Sequence, residues 1–155
     1  MTTTASTGTA ARTSAGIDPR GPQFTAAVTA VVLVVVLLLP TTAATVLTGV
    51  QAVLFAIGAG LGVQRTPTSW AFRTLVRPRL SAPDELEDPA PPRFAQAVGL
   101  AFTLVALVGF VSGATLLGQV AIGFALVAAL LNAVFRFCLG CELYLLIKRF
   151  TPTGG

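Results

Sequence analysis

Two cysteines near the end of the chain, Cys138 and Cys141, are the residues whose type and spacing best suit chemistry. They are the only cysteines in the sequence, and Glu142 follows them directly. Residues three apart in a helix lie about 5 to 6 Å from each other, within the Cα separation that a disulfide allows. The spacing therefore predicts a dithiol that can form a reversible disulfide, with Glu142 as a modulator of its thiols.

Three other roles fit the same pair. Two small polarizable side chains can pack a helix interface, and one of them can be acylated near a membrane surface. Two copies of the chain in a homo-oligomer can also supply four thiolates to a shared metal ion. Within one chain we expect no metal and no cofactor, because two thiolates alone do not complete a site.

The 155 residues include no histidine, which excludes several catalytic classes. Without histidine the chain has no Ser-His-Asp or Cys-His unit, no imidazole-ligated haem and no mixed Cys/His zinc site. The net charge of +4 does not indicate nucleic acid as a partner, since the basic residues are spread over tails and loops without aromatic residues between them.

The composition indicates an integral membrane protein. Only 10% of the residues are charged and 54% are hydrophobic, with a mean hydropathy of +0.83. Soluble domains have about a quarter of their residues charged, so this chain lacks an adequate surface for water. We expect the lipid bilayer to be its main surroundings.

Four apolar stretches predict an all-α fold with four transmembrane helices. The expected spans are about 24–40, 43–64, 94–113 and 118–137, each long enough at 1.5 Å per residue to cross a core of about 30 Å. They belong to a membrane domain over 18–150, with a loop over 65–93. Residues 1–17 are expected to be a disordered tail and residues 151–155 a second tail.

Nine of the ten basic residues lie on one side of these spans. The positive-inside rule makes that side the cytoplasm, so both termini are expected to be cytoplasmic, in a multi-pass protein of the cell (inner) membrane. A cleaved signal peptide is an alternative for the start of the chain, since Thr42-Ala43-Ala44 resembles a cleavage site.

The sequence repeats a motif after 70 positions. Asp18-Pro19-x-x-Pro22-x-Phe24 matches Asp88-Pro89-x-x-Pro92-x-Phe94, and each copy precedes a span that enters from the cytoplasm. Proline-rich turns outside helices explain the match without common origin. Duplication of a two-span hairpin, with halves related by an axis along the membrane normal, is the alternative. Nothing in the first half is expected to correspond to the segment that holds the cysteines.

Equal helix rise places Cys138 level with Arg93, at the cytoplasmic boundary. We expect residues 137–150 to form a helical extension at that face, hinged at Gly140. On a continuous helix both thiols would lie toward the negative end beside Glu142, with Arg136 pointing away, which disfavours thiolates. A break at Gly140 would instead put Cys141 at a helix start, as the attacking thiol with Cys138 resolving.

Polar and aromatic residues elsewhere predict structure more than chemistry. Residues 68–77 predict a short surface helix with Trp70, Phe72, Leu75 and Val76 facing lipid. The acidic run from 84 to 88 predicts a solvated loop. We expect Asn132 to form a hydrogen bond between helices.

Three segments resemble a known family: Ile17-Asp-Pro-Arg-Gly-Pro-Gln-Phe24, Leu86-Glu-Asp-Pro-Ala-Pro-Pro-Arg-Phe-Ala-Gln96 and Asn132-Ala-Val-Phe-Arg-Phe-Cys-Leu-Gly-Cys-Glu-Leu-Tyr144. They resemble the small four-span membrane proteins called domain of unknown function 4395, which are common in actinobacteria. The resemblance covers residues 16–149 and implies that Asn132, Cys138, Gly140, Cys141, Glu142 and Tyr144 form the family's motif. Arg136 departs from it, because a small residue, often glycine, is expected there.

Genes of this family often lie near those for thioredoxin-like proteins and thiosulfate sulfurtransferases, so the resemblance implies thiol or sulfur chemistry. We therefore expect a thiol-disulfide or sulfur-relay component with a cytosolic thioredoxin-fold or rhodanese-type partner. The alternatives are a non-enzymatic membrane anchor that uses the 65–93 loop, a small transporter of sulfur compounds, and a quinone-linked disulfide generator. The sequence leaves open whether the protein is an enzyme.

Overall fold

Apolar runs bounded by proline and glycine fold into four long helices. The structure is a computed structural model that describes residues 16–151. Its helices are α1 (Arg20–Leu38), α2 (Thr41–Gly60), α3 (Pro67–Ala71), α4 (Ala90–Val111), α5 (Thr115–Phe135) and α6 (Leu139–Phe150). The helices α1, α2, α4 and α5 are long and apolar enough to cross a membrane. The predicted class, an all-α membrane protein, is confirmed.

The observed spans begin and end two to four residues before the expected bounds. They begin earlier because proline is well tolerated in the first helical turn, where its missing N–H has no partner to lose. The tail expected over 1–17 lies outside the described residues except for its end, where Ile17 is buried and pairs with Glu87. Of the second tail only Thr151 is described.

The two copies of the repeated motif begin α1 and α4 in the same way. Asp18 Oδ1 accepts a hydrogen bond from the backbone N–H of Arg20 at 3.0 Å. Asp88 Oδ1 accepts the corresponding bond from Ala90 at 2.9 Å. Each aspartate therefore satisfies one of the N–H groups that a helix start leaves without a partner.

The four long helices pack as a ring in the order α1, α2, α4, α5. Small residues allow close contact, and α4 and α5 approach so closely that a Cβ on Gly109 would lie 2.6 Å from Gly118 N. The best-buried cluster lies toward the end where these two helices connect, and it consists of Leu33, Val36, Ala44, Ala106, Phe110, Ala121, Ile122 and Ala125. We call the opposite end, where α1 and α4 begin, the basic end.

The loop between α2 and α4 also packs at the basic end. A 3₁₀ turn (Val63–Arg65) leads into α3, which continues as a π-helical turn (Phe72–Val76). The prediction that Phe72 faces lipid is wrong, because its ring is 4% exposed and packs on Phe24 with centroids 5.8 Å apart. Trp70, in contrast, is 62% exposed.

Candidate functional site

A sharp chain reversal separates α5 from α6 and positions the two cysteines. Arg136 ends α5 in the left-handed conformation, with φ 56° and ψ 24°. Cys138 then caps the N-terminus of α6, which starts at Leu139. The expectations of a continuous helix and of a hinge at Gly140 are therefore wrong. The break falls earlier because the left-handed residue at 136 already turns the chain.

This break changes the electrostatics of the cysteine pair. Cys138 and Cys141 lie with Cα atoms 5.1 Å apart and are joined as a disulfide. The backbone N–H of Cys141 donates to Cys138 Sγ at 3.3 Å. Both residues lie at the positive end of the α6 dipole rather than the negative end expected for a continuous helix. The condition on which Cys141 was expected to be the attacking thiol, a break at Gly140, is not met.

A polar cavity of about 400 Å³ opens beside the pair at the basic end. Its wall includes Cys138, Cys141, Glu142 and Arg136, with Glu87 and Asp88 from the loop before α4. Arg136 therefore lines the same cavity as both cysteines, which the continuous-helix expectation had excluded. The charged wall makes this cavity suitable for a polar, water-borne group.

An apolar cavity of about 410 Å³ lies on the other side of Cys138, between the helices. It is lined mainly by alanine, glycine and phenylalanine, including Phe55, Phe102 and Phe124. Cys138 and Asn132 line both cavities, whereas Cys141 is found only in the wall of the polar one. The cysteine pair therefore stands at the boundary between the helix interior and the polar face.

Gly140 and Tyr144 fix α6 against the first turns of α4. A Cβ on Gly140 would lie 2.6 Å from the Cα of Ala95, so only glycine fits at this contact. The Tyr144 ring packs on Phe94 with centroids 5.7 Å apart, and Lys148 Nζ lies 5.9 Å from the Tyr144 centroid. This contact agrees with the depth argument that placed the cysteines level with Arg93.

The side chain of Asn132 lines the two cavities, and a different residue provides the interhelical hydrogen bond at this level. Gln23 Nε2 donates to the carbonyl of Ala133 at 2.9 Å and so connects α1 to α5. Sequence reasoning missed Gln23. Its position five residues after the first Asp18-Pro19 step, where the second copy has Arg93, was the available signal.

The acidic residues of the 65–93 loop remain on the surface. Asp84, Glu85, Glu87 and Asp88 are exposed, in agreement with the solvated loop that was predicted. Among residues 16–151, no group of three or more histidine, cysteine, aspartate or glutamate side chains is placed to hold a metal ion. The cysteine pair and its two cavities are therefore the best candidate for a functional site in the described part of the chain.

Comparison with known proteins identifies the family but offers no characterised relative. No curated protein and no solved structure matches the chain. A family model described as domain of unknown function (DUF4395) matches residues 17–149, which contain all six helices except the last residue of α6. The protein belongs to this family.

Proposed function

We propose that the protein is a thiol-disulfide component of the cell (inner) membrane that exchanges electrons with a cytosolic thioredoxin-fold partner through Cys138 and Cys141. The observation that carries the proposal is the position of Cys138. Its sulfur accepts the Cys141 N–H at the start of α6 and borders a polar cavity. A helix N-terminus favours thiolate over thiol, which makes the cysteine a better nucleophile at neutral pH.

The orientation follows from the distribution of charge. The basic end holds the arginine residues of the 65–93 loop together with Arg136, Lys148 and Arg149. Positively charged residues near span ends favour the cytoplasmic side. The polar cavity then opens to the cytoplasm, where a soluble partner can reach both sulfur atoms.

The proposed exchange begins from the reduced pair. The Cys138 thiolate attacks one sulfur of the partner's disulfide, forms a mixed disulfide and releases the partner's other sulfur as a thiolate. Cys141, after losing its proton to water, attacks Cys138 Sγ, and the partner's second thiolate leaves. The partner gains two electrons and becomes a dithiol, while the Cys138–Cys141 disulfide forms. The reverse sequence reduces the pair.

The same site suits sulfur relay with a rhodanese-type partner. The Cys138 thiolate attacks the outer sulfur of a persulfide on the partner, and the partner's cysteine leaves as a thiolate. Cys138 then carries the persulfide. The charges and atoms balance without an added oxidant or reductant, so the partner alone decides which of the two reactions occurs.

The test is to trap the partner through one cysteine. In freshly quenched cells, a bulky maleimide should detect a wild-type pair that changes reversibly from two free thiols to none after a brief thiol oxidant. Cys141→Ser should accumulate a mixed disulfide through Cys138, because the resolving thiol is lost. Cys138→Ser is the matched control and should trap little.

A pair that never changes its redox state, or a Cys138→Ser/Cys141→Ser variant that traps as much partner as Cys141→Ser, would sink the proposal. Equal trapping by both single variants would contradict the assignment of Cys138 as the attacking thiol. Thiol labelling reads the redox state directly, so the test does not require the substrate to be known.

Buried polar residues in the middle of the bundle favour a second candidate, a small transporter. Gln51 and Thr103 are 4% and 0% exposed, and Thr48 Oγ1 is buried without a hydrogen-bond partner among the described residues. Polar groups at this depth are costly in lipid and often mark a pathway. Gln51→Leu should then abolish uptake of thiosulfate into vesicles that contain the purified protein, whereas Cys138→Ser/Cys141→Ser should not.

A further inference from the structure

The contact between the two halves of the chain is symmetric. Ile17 and Glu87, which are 70 residues apart, form an antiparallel bridge with two backbone hydrogen bonds of 2.9 Å each. These residues occupy the same position in the two copies of the repeated motif. Pairing of equivalent residues is the arrangement expected at a twofold axis. The axis passes between the starts of α1 and α4.

A second pair of equivalent residues makes equivalent contacts. Gln23 on α1 donates to the carbonyl of Ala133 near the end of α5. Arg93 on α4, 70 residues later, donates to the carbonyls of Ala59 and Gly60 at the end of α2, at 2.6 Å each. Each half therefore uses the same position to bind the last carbonyls of the long helix from the other half.

The correspondence continues beyond the long helices. Phe24 and Phe94 are equivalent in the two motifs, and each packs on one aromatic ring from the segment after the second long helix of its own half. The Phe24–Phe72 rings are 5.8 Å apart at 43°, and the Phe94–Tyr144 rings are 5.7 Å apart at 48°. Phe72 and Tyr144 differ by 72 positions, so the second half has two extra residues before α6.

The same offset of 72 aligns the cysteine pair with a hydroxyl pair. Thr66 caps α3, and its Oγ1 accepts the N–H of Ser69 at 3.2 Å. Cys138 caps α6, and its Sγ accepts the N–H of Cys141 at 3.3 Å. The two caps have the same spacing, the same donor position and nearly the same distance.

The neighbouring contacts agree. Thr68, two residues after the first cap, bonds to Thr25 on α1 with their Oγ1 atoms 3.2 Å apart. Gly140, two residues after the second cap, lies against Ala95 on α4, the equivalent of Thr25. Each short helix thus crosses the first helix of its own half at the same place.

Each cap also borders a cavity at the basic end. The cavity in the first half has a volume of about 280 Å³ and is lined by Ile17, Asp18, Thr66 and Ser69. The equivalent positions Glu87, Asp88, Cys138 and Cys141 line the polar cavity of the second half. The two cavities therefore occupy corresponding places in the two halves.

We infer that the chain is a duplicated three-helix unit in which Thr66 and Ser69 form a redox-silent copy of the Cys138–Cys141 site. The first half corresponds to the segment that holds the cysteines, contrary to the expectation from sequence. A hydroxyl caps the helix in one copy and a sulfur in the other, so the fold does not require thiols. This inference stands apart from the proposed function, because it concerns geometry that both halves share.

The test moves the dithiol to the first half. In a Cys138→Thr/Cys141→Ser background, which copies the first half's own residues, Thr66→Cys/Ser69→Cys should form an intramolecular disulfide. Equilibrated with glutathione in detergent, its equilibrium constant should lie within about tenfold of the native pair's. Thr41→Cys/Ala44→Cys is the matched control, since it has the same spacing in the first turn of α2 but no capping position.

The control pair should form its disulfide at least about a hundredfold less favourably, because helical residues must distort to reach disulfide geometry. A transplanted pair that behaves like the control would overturn the inference. Single variants provide an independent readout in reducing buffer: Thr66→Ala and Cys138→Ala should each lower the melting temperature by about 3 °C, through loss of a cap acceptor. A loss confined to one of them would also overturn it.

Discussion

Gly140 and Ala95 are in direct backbone contact, and this contact holds the cysteine-bearing helix against α4. A Cβ added to Gly140 would lie 2.6 Å from both the Cα and the Cβ of Ala95. Neither atom belongs to a flexible side chain, so α6 itself must move to make room. The position of Cys138 and Cys141 relative to the bundle therefore depends on a hydrogen atom at 140.

Replacement of Gly140 tests this contact. We expect Gly140→Ala to lower the free energy of unfolding by about 1 to 3 kcal/mol through overpacking, measured by thermal or denaturant unfolding in detergent. Gly123→Ala on α5 is the control, because a Cβ there has open space around it. The control should be neutral or slightly stabilising, and equal losses in the two variants would contradict the explanation.

Arg136 offers the opposite effect, a stabilising substitution. Its φ of 56° strains any residue with a Cβ, at a cost of about 1 kcal/mol. Arg136→Gly should remove that strain and raise the unfolding free energy by about this amount. Arg136→Ala removes the same charge and keeps the Cβ, so it should give no gain. A gain in both variants would point to the charge instead of the backbone.

The ion pair at the start of α1 predicts a pH dependence. A side-chain hydrogen bond from Arg20 holds the pKa of Asp18 below its ordinary value of 3.8, and the two residues are 3.0 Å apart. A lowered folded pKa contributes stability above the unfolded pKa, and this contribution is lost as the pH falls below 3.8 through the folded value. Melting temperatures of the wild type should decrease over that interval.

Asp18→Asn should remove this part of the pH dependence, because the amide does not titrate. Asp88→Asn, at the equivalent position of the second motif, is the control and should keep it. An unchanged acid profile in Asp18→Asn would show that other carboxyl groups dominate the loss of stability.

The loop before α4 is predicted to be part of the core rather than a simple surface anchor. Phe72→Ala should cost about 3 kcal/mol in unfolding free energy, since it removes a ring that is 4% exposed. Trp70→Ala removes a larger ring that is 62% exposed and should cost less than about 1 kcal/mol. Comparable losses would mean that the loop is not packed as described.

Cysteine labelling in cells tests the proposed orientation. In the Cys138→Ser/Cys141→Ser background, Ser81→Cys lies in the loop at the basic end and Ser112→Cys lies in the turn between α4 and α5. A membrane-impermeant maleimide added outside should label Ser112→Cys, whereas Ser81→Cys should react only after the membrane is opened. The reverse pattern would place the dithiol on the outer side.

Composition and local pattern were sufficient to predict the membrane class and the four spans, because long apolar segments must satisfy their backbone groups internally and do so as helices. The repeat at Asp18 and Asp88 was also visible, since each aspartate acts on its own helix start. These features depend on residues close together in the chain. They can therefore be inferred without knowing how the helices pack.

The cysteine site required the tertiary structure. Whether α5 continues through Cys138 depends on the backbone at Arg136, and the left-handed turn there is compatible with a non-glycine residue only because the packing of α6 on α4 offsets its strain. The correspondence of Thr66 with Cys138 was hidden as well, since hydroxyl and thiol share no sequence pattern and the two-residue offset shifts the register. Contacts between distant segments, at Ala95 and Phe94, decided where the dithiol lies.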